Sequence, residues 1–260
     1  MVPTTPLVLD NTSDNSSAIA TAATNGGYYD MTLSNRTLWK DGAWNTLCLP
    51  FNADLIGDLA DATLMELDVT GKYDTDKQTG LDADGTLYLY FKEALSIAAG
   101  KPYIIKWDSG SIIENPMFTG VTVSCDTTVC IESADGNVTF RGTYNAQSFT
   151  TDNRNILYLG GENRLYDPLN GAGIGACHAY FQLNNGLTAG DLPANGVKMF
   201  FGNGETGIAS PKSSPEGKDF SRLLQKGTRE AWYTLDGRRL SGKPAKKGVY
   251  IHCNTKVAIK

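Results

Sequence analysis

The chain has 260 residues, of which 41% are hydrophobic and 20% charged, with a net charge of −5 at pH 7. This composition is typical of a globular protein, and the length suits one large domain or a medium domain with a small one. No apolar run reaches about eighteen residues, which argues against a membrane span, and the acidic balance argues against nucleic acid as the partner.

The first predicted element is a short helix over Ser16–Asn25, which a serine opens, alanines fill and Gly26 ends. Short apolar runs follow, separated by Asp-Gly and Asn-Gly dipeptides that favour turns. Strands are predicted over Met31–Leu33, Trp44–Leu49, Thr63–Val69, Thr86–Phe91, Pro102–Trp107, Val121–Ser124, Thr128–Ile131, Val138–Arg141, Ile156–Gly160, His178–Leu183 and Lys198–Phe201. This pattern predicts an all-β fold over residues 1–205, an antiparallel β-sandwich of jelly-roll type.

In two of these strands, the alternation of side chains predicts which face of the strand is buried. Residues 86–91 alternate leucine and phenylalanine with Tyr88 and Tyr90, so both faces are apolar and a central strand covered on each side is expected. Residues 178–183 alternate polar with apolar side chains, which predicts a strand with one face in solvent.

The C-terminal part of the chain differs from this body. Residues 206–228 are rich in glycine, proline, serine and alternating charges, which predicts a linker, and residues 229–260 predict a small β tail. Within residues 212–260, twelve lysines and arginines stand against four acids, whereas residues 1–211 hold eleven against twenty-four. The basic tail either docks electrostatically on the acidic body or makes an independent contact, and both interpretations stay open.

Four aspartates, Asp74, Asp76, Asp82 and Asp84, lie together in the segment DTDKQTGLDADG. Carboxylates at this density can bind calcium, so calcium is the candidate cofactor, although the spacing does not follow the EF-hand loop. The alternative is a solvated hairpin tip.

Five cysteines have no zinc-binding spacing. Cys125 and Cys130 bracket four residues and can face each other across a hairpin, which predicts a disulfide if the protein reaches an oxidising compartment. Cys48 and Cys177 lie in apolar strand patterns and are predicted to be buried.

The sequence carries no recognisable catalytic motif. It lacks the G-x-S-x-G elbow and has only two histidines, so we expect a non-enzymatic protein. A carbohydrate hydrolase stays the less favoured alternative, because a pair of carboxylates across a cleft would suffice for it.

Aromatic residues are the main binding signal. Trp39, Trp44, Tyr88 and Tyr90 are the candidate residues, because flat rings with a polar tip suit a glycan or a host surface protein. Trp39 and Trp44 flank a tight turn and are the first candidates. The alternative is that these rings belong to the core.

The segment from Trp232 to Lys260, WYTLDGRRLSGKPAKKGVYIHCNTKVAIK, resembles a C-terminal segment of many secreted and surface proteins of gut Bacteroidota. Body stretches such as NRTLWKDGAWNTLCLPFNADL and NRNILYLGGENRLYDPL are similar to a β-rich module that precedes this segment in large adhesin-like proteins. The resemblance implies a surface or secreted location, a longer exported precursor, and contact between the tail and export or retention machinery. It also leaves open a second interpretation, in which the body is a spacer domain. Full sorting domains are longer than this tail, so retention at the cell surface by another route stays open beside sorting.

Overall fold

A computed structural model describes residues 3–73, 76–124, 127–193 and 196–202, together with the backbone of short strands at 205–209, 212–213, 232–233, 248–252 and 255–259. The chain divides into two compact units, Met1–Leu224 (the body) and Gln225–Lys260 (the C-terminal unit). Within the described residues, no helix is long and apolar enough to cross a membrane.

Apart from the helix α1 (Ser16–Asn25) and single 3-10 turns at Gly57–Leu59 and Gly161–Asn163, the regular elements described are strands. Those of the first half are β1 (Thr4–Asp10), β2 (Tyr28–Ser34), β3 (Thr37–Leu38), β4 (Asn45–Leu47), β5 (Ala53–Asp54), β6 (Thr63–Leu67), β7 (Gly80–Leu81), β8 (Leu87–Glu93), β9 (Ser96–Ile97), β10 (Tyr103–Lys106), β11 (Ile113–Glu114) and β12 (Met117–Val121). Those of the second half are β13 (Cys130–Glu132), β14 (Val138–Thr143), β15 (Gln147–Ser148), β16 (Ile156–Leu159), β17 (Leu165–Asp167), β18 (Gly173–Ile174), β19 (His178–Leu183), β20 (Val197–Phe201), β21 (Glu205–Ala209), β22 (Lys212–Ser213), β23 (Trp232–Tyr233), β24 (Gly248–His252) and β25 (Thr255–Ile259).

Two large sheets share the main core of the body. The first sheet has the order β21-β20-β8-β6-β10-β4, with β7 added beside β8, and the second has the order β13-β14-β19-β16-β17-β22. Their inward side chains form one apolar cluster, in which Phe91 of the first sheet meets Phe140 and Phe181 of the second edge to face. The predicted all-β, sandwich-like fold is therefore confirmed. The parallel pairing of β8 with β20 is a departure from the antiparallel expectation.

A smaller sheet, in the order β1-β2-β12, covers part of the other face of the first sheet together with α1. Its pairing of β1 with β2 is also parallel. A second apolar core forms here, between residues such as Leu9, Ile19 and Met31 on one side and Leu64 and Ile105 on the other. The first sheet is thus buried on both faces at its β6 and β10 strands.

The helix prediction over residues 16–25 is confirmed. Gly26 ends it with a φ of +63°, which glycine adopts without a steric penalty. The expected serine cap is wrong, because Asn15 occupies the cap position and makes no capping hydrogen bond there. The Asp14 carboxylate instead accepts a 2.8 Å bond from the backbone N–H of Ser16.

Of the two strand-face predictions, one is confirmed and one is wrong. β8 lies between β6 and β20, and the expected burial of both its faces is confirmed. In β19, His178 and Tyr180 are buried as well, so the predicted solvent face is limited to Gln182. A small apolar cluster around Ile174 and Tyr158 covers this side of β19.

The body extends beyond the expected boundary at residue 205. β21 pairs with β20 and β22 pairs with β17, so residues 205–209 and 212–213 belong to the two sheets rather than to a linker. Residues 214–231 lie outside the described residues. In the C-terminal unit, β23, β24 and β25 form an antiparallel sheet within the range predicted as a small β tail.

Burial of Cys48 and Cys177 is confirmed. Cys130 is exposed in β13, and its expected disulfide partner Cys125 lies outside the described residues, so this bridge stays a prediction.

Candidate functional site

Four aromatic rings form a stacked row on the face of the first sheet that points away from the sandwich core. Alternation along β8 places Tyr88 and Tyr90 on this face, and the parallel register sets Phe200 of β20 opposite Tyr90. Centroid distances are 4.6 Å for Tyr90–Phe200 and 6.0 Å for Tyr88–Phe200. Tyr73, from the loop after β6, lies on Tyr90 at 4.2 Å with parallel planes.

Asp68, the first residue after β6, holds the loop that carries Tyr73. Its Oδ2 accepts a 2.7 Å bond from the Tyr73 hydroxyl, and its Oδ1 accepts the backbone N–H groups of Thr70 and Gly71 at 3.1 Å. Lys92 of β8 adds a weak ion pair at 3.5 Å. This carboxylate therefore closes the turn and fixes the ring above the sheet.

These bonds set the protonation of both partners. Burial alone would raise the pKa of Asp68, but the hydrogen bonds from Tyr73, Thr70 and Gly71 outweigh it and hold this pKa well below its usual range. Burial and the bond to Asp68 raise the pKa of Tyr73 to about 12. At neutral pH the pair is a carboxylate and a phenol.

The buried hydroxyl of Thr79 connects the C-terminal end of this loop to β8 by hydrogen bonds. It donates to the carbonyl oxygen of Asp68 at 2.5 Å and accepts the backbone N–H of Tyr90 at 3.0 Å. The loop is thus bonded to the sheet at its start and near its end.

Lys77 lies at the end of the aromatic row. Its Nζ donates to the Tyr88 hydroxyl at 2.6 Å and to Asp82 Oδ2 at 2.9 Å. The same ammonium lies 4.1 Å from the Tyr88 ring centroid, and Lys198 lies 5.4 Å from it. Hydrogen bonds to Tyr88 and then Asp82 raise the pKa of Lys77, so the ammonium stays charged.

Asp135 reaches this loop from the second sheet. It lies in the turn between β13 and β14, where Ser133 and Asn137 donate to its carboxylate, and its Oδ2 accepts the backbone N–H of Leu81 at 2.7 Å. Burial would raise the pKa of Asp135, but these bonds lower it overall. Gly80 packs directly on the carboxylate, since a Cβ there would lie 2.6 Å from Asp135 Oδ2.

Between the loop and this turn lies an open cleft of about 300 Å³. Its lining includes Lys77, Gln78, Asp82, Tyr88 and Asp135. The volume is at the small end of ligand sites, so one small ring would fill it. Carboxylate oxygens, an ammonium and a primary amide offer both acceptors and donors, which suits a ligand that carries several hydroxyl groups. Carboxylates outnumber the ammonium, which favours a neutral ligand over an anionic one.

The aromatic residues proposed from the sequence lie in three different environments. Trp44 is 3% exposed and packs in the sandwich core, 4.9 Å from Phe201, so its ring offers no face to a ligand. Tyr88 and Tyr90 are buried within the aromatic row, and only Tyr88 borders the cleft. Trp39 is half-buried at the start of the turn that the Asn45 side chain closes with two 2.9 Å bonds to the Trp39 backbone.

The proposed calcium ligands do not converge where they are described. Asp82 bonds Lys77, the Asp84 carboxylate accepts the backbone N–H of Thr86, and exposed Asp76 lies 3.9 Å from Lys72. Asp74 lies outside the described residues. Over the described part of the chain, no three acidic, cysteine or histidine side chains are grouped to hold a metal. Calcium therefore stays a prediction without structural support from these three residues.

Sequence reasoning missed Lys77, Gln78 and Asp135 as parts of one site. Lys77 and Gln78 lie within the aspartate-rich segment, and Asp135 belongs to an Asp-Gly dipeptide, which by itself indicates only a turn. The available signal was the pair of Asp-Gly turns at residues 84–85 and 135–136, but no sequence pattern indicates that the two turns lie side by side.

Comparison with protein-family models, curated proteins and solved structures finds no match to this chain.

Proposed function

We propose that the body is a non-catalytic binding module of a secreted or cell-surface protein, and that the cleft beside Tyr88 binds a neutral sugar. The convergence of Lys77, Gln78 and Asp135 from two different sheets beside one tyrosine is the observation that carries this proposal. Each sugar hydroxyl both donates and accepts hydrogen bonds, and the cleft offers partners of both kinds.

Gln78 is the residue best placed to contact such a ligand. It is half-buried in the cleft wall, and its side-chain amide makes no hydrogen bond to another described residue. The amide can therefore bond a hydroxyl group without giving up an internal partner. Lys77 and Asp82 already pair with each other, and a ligand must share or replace that bond.

Binding of the full chain to a panel of neutral mono- and oligosaccharides, followed by titration calorimetry on any hit, tests this proposal. We expect Gln78→Ala to weaken a specific hit about tenfold, which is the usual value of one lost hydrogen bond. Gln147→Ala is the matched control, because Gln147 is a half-buried glutamine in β15 that does not line the cleft. Equal affinity of the two variants would place the ligand elsewhere.

The burial of Trp44, Tyr88 and Tyr90 favours a second candidate, a structural spacer, because these rings stabilise the body instead of facing a ligand. In this case the body presents neighbouring domains of a longer protein. A folded protein that binds nothing across a broad glycan and host-matrix panel would favour the spacer.

For the C-terminal unit we propose a role in export or retention at the bacterial surface. Its support is the basic composition and the resemblance of residues 232–260 to the C-terminal segment of Bacteroidota surface proteins. Fusion of residues 225–260 to a passenger with a signal peptide should bring that passenger to the surface of such a bacterium. A passenger that stays in the periplasm would contradict the role.

A further inference from the structure

A buried cation lies where three sheets of the body meet. Arg36 follows β2 of the small sheet and is 2% exposed. Its Nη2 donates to the carbonyl oxygen of Thr46 in β4, while Nε and Nη1 have no hydrogen-bond partner. No carboxylate forms an ion pair with this guanidinium among the described residues, and the causes that shift its pKa are burial first and then the Cys177 thiol. Buried arginines usually have such a partner, because an unpaired charge in the interior is strongly unfavourable.

A second buried side chain, that of His178, also contacts Thr46 and also has a nitrogen without a hydrogen-bond partner. His178 of β19 is 2% exposed, and its Nδ1 lies 3.1 Å from the hydroxyl oxygen of Thr46. Its Nε2 has no hydrogen-bond partner. When Nδ1 accepts the threonine hydroxyl, Nε2 carries the proton and is a donor. Thr46 therefore joins two side chains whose remaining N–H groups are unused.

The neighbouring titratable groups do not supply the missing negative charge. Burial lowers the pKa of Arg36 to about 9, which still leaves it a cation at neutral pH. Burial raises the pKa of the Cys177 thiol to about 12, so the thiol beside Arg36 stays protonated. Burial and the nearby Arg36 lower the pKa of His178, which keeps the imidazole neutral. Among the described residues, this corner holds one positive charge and no negative charge.

We propose that a small monovalent inorganic anion, of the size of chloride, binds beside Arg36 and accepts hydrogen bonds from its open N–H groups. Water could satisfy these donors but could not balance their charge. A multivalent anion would overcompensate a single cation in a closed site. The anion would stabilise the corner where β2, β4 and β19 meet, because Arg36 and His178 are both bonded to Thr46.

The test compares thermal unfolding of the full chain in sodium chloride, sodium bromide and sodium gluconate at equal sodium concentration. A ligand that binds only the folded protein raises the melting temperature with each tenfold increase in its concentration, by about 3 °C for a domain of this size. We expect this rise for chloride and bromide but not for gluconate, which is too large for a closed site. Equal slopes in all three salts would overturn the proposal.

Arg36→Met should remove the halide dependence, while Arg141→Met, on the exposed surface of β14, should keep it. If Arg36→Met does not fold, crystals of the unmodified chain grown in bromide decide the question by anomalous scattering. A peak beside the Arg36 guanidinium supports the site. Ordered density there without an anomalous signal would identify water and overturn the proposal.

Discussion

The Tyr73 hydroxyl donates a 2.7 Å hydrogen bond to the Asp68 carboxylate, while the Tyr73 ring lies parallel to Tyr90 at 4.2 Å. One carboxylate therefore determines both the turn after β6 and the ring that covers the outer face of β8. The wall of the cleft begins at Asp76, only three residues after Tyr73. The position of the cleft wall consequently depends on Asp68, although Asp68 does not line the cleft.

Asp68→Asn should lower the free energy of unfolding by about 1–3 kcal/mol, because the amide leaves buried donors poorly satisfied. Tyr73→Phe removes a single bond and should lower it by about 0.5–1.5 kcal/mol. Urea unfolding followed by tryptophan fluorescence measures both changes. Asp108→Asn, at an exposed aspartate, is the control and should leave stability unchanged. A loss as small as that of the control would show that Asp68 does not organise the loop.

The same carboxylate predicts a pH dependence. The pKa of Asp68 lies well below its usual range in the folded protein, compared with about 3.9 in the unfolded chain. The contribution of Asp68 to the free energy of unfolding is therefore complete above about pH 5. It is lost as the pH falls below about 4 toward the pKa of Asp68 in the folded protein. The stability difference between the unmodified chain and Asp68→Asn should be constant from pH 7 to 5 and shrink below pH 4. A difference that grows in acid would contradict this assignment.

The two tryptophans of the turn at residues 39–44 should behave differently. Trp44→Ala removes a core ring that contacts Phe201 and should cost about 3–5 kcal/mol. Trp39→Ala affects a half-buried ring and should cost clearly less, so it yields a folded protein for binding studies. Thermal and urea unfolding of both variants check this order. Equal losses would mean that Trp39 is as much a core residue as Trp44.

Much of the fold was predictable because alternation and turn dipeptides are local signals. The helix at residues 16–25 and strands such as β8, β14 and β19 follow directly from them. β1 was missed because its sequence, TTPLVLD, contains a proline and three consecutive apolar residues instead of an alternating pattern, and it forms through its parallel pairing with β2. Sheet order and parallel register depend on contacts between distant residues, which no local pattern records.

The site was less predictable than the fold, for a related physical reason. Alternation shows that Tyr88 and Tyr90 share a face of β8, but not that Tyr73 and Phe200 cover this face. Tyrosines whose polar tips suit a ligand can therefore be buried by rings from distant parts of the chain. The buried Arg36 could not be recognised either, because arginine is usually exposed and nothing local marks the corner that encloses it.

Gly80 supports the cleft through its close contact with Asp135. Its φ is +146°, which side-chain-bearing residues rarely adopt, and an added Cβ would lie 2.6 Å from the Asp135 carboxylate. Gly80→Ala should therefore strain the backbone and also push Asp135 away from the N–H of Leu81. We expect a loss of stability of about 2–4 kcal/mol together with loss of any ligand bound in the cleft.

Gly85→Ala separates backbone strain from the steric contact with Asp135. Gly85 also has a positive φ, +80°, but a Cβ there would meet only Pro193, at an ordinary contact distance of 3.7 Å. It should cost about 1–2 kcal/mol from backbone strain alone. The double variant Gly80→Ala, Asp135→Ala should lose less than the sum of its single variants, because without the carboxylate the added methyl group meets no obstacle. Additive losses in urea unfolding would show that Gly80 and Asp135 do not contact each other in solution.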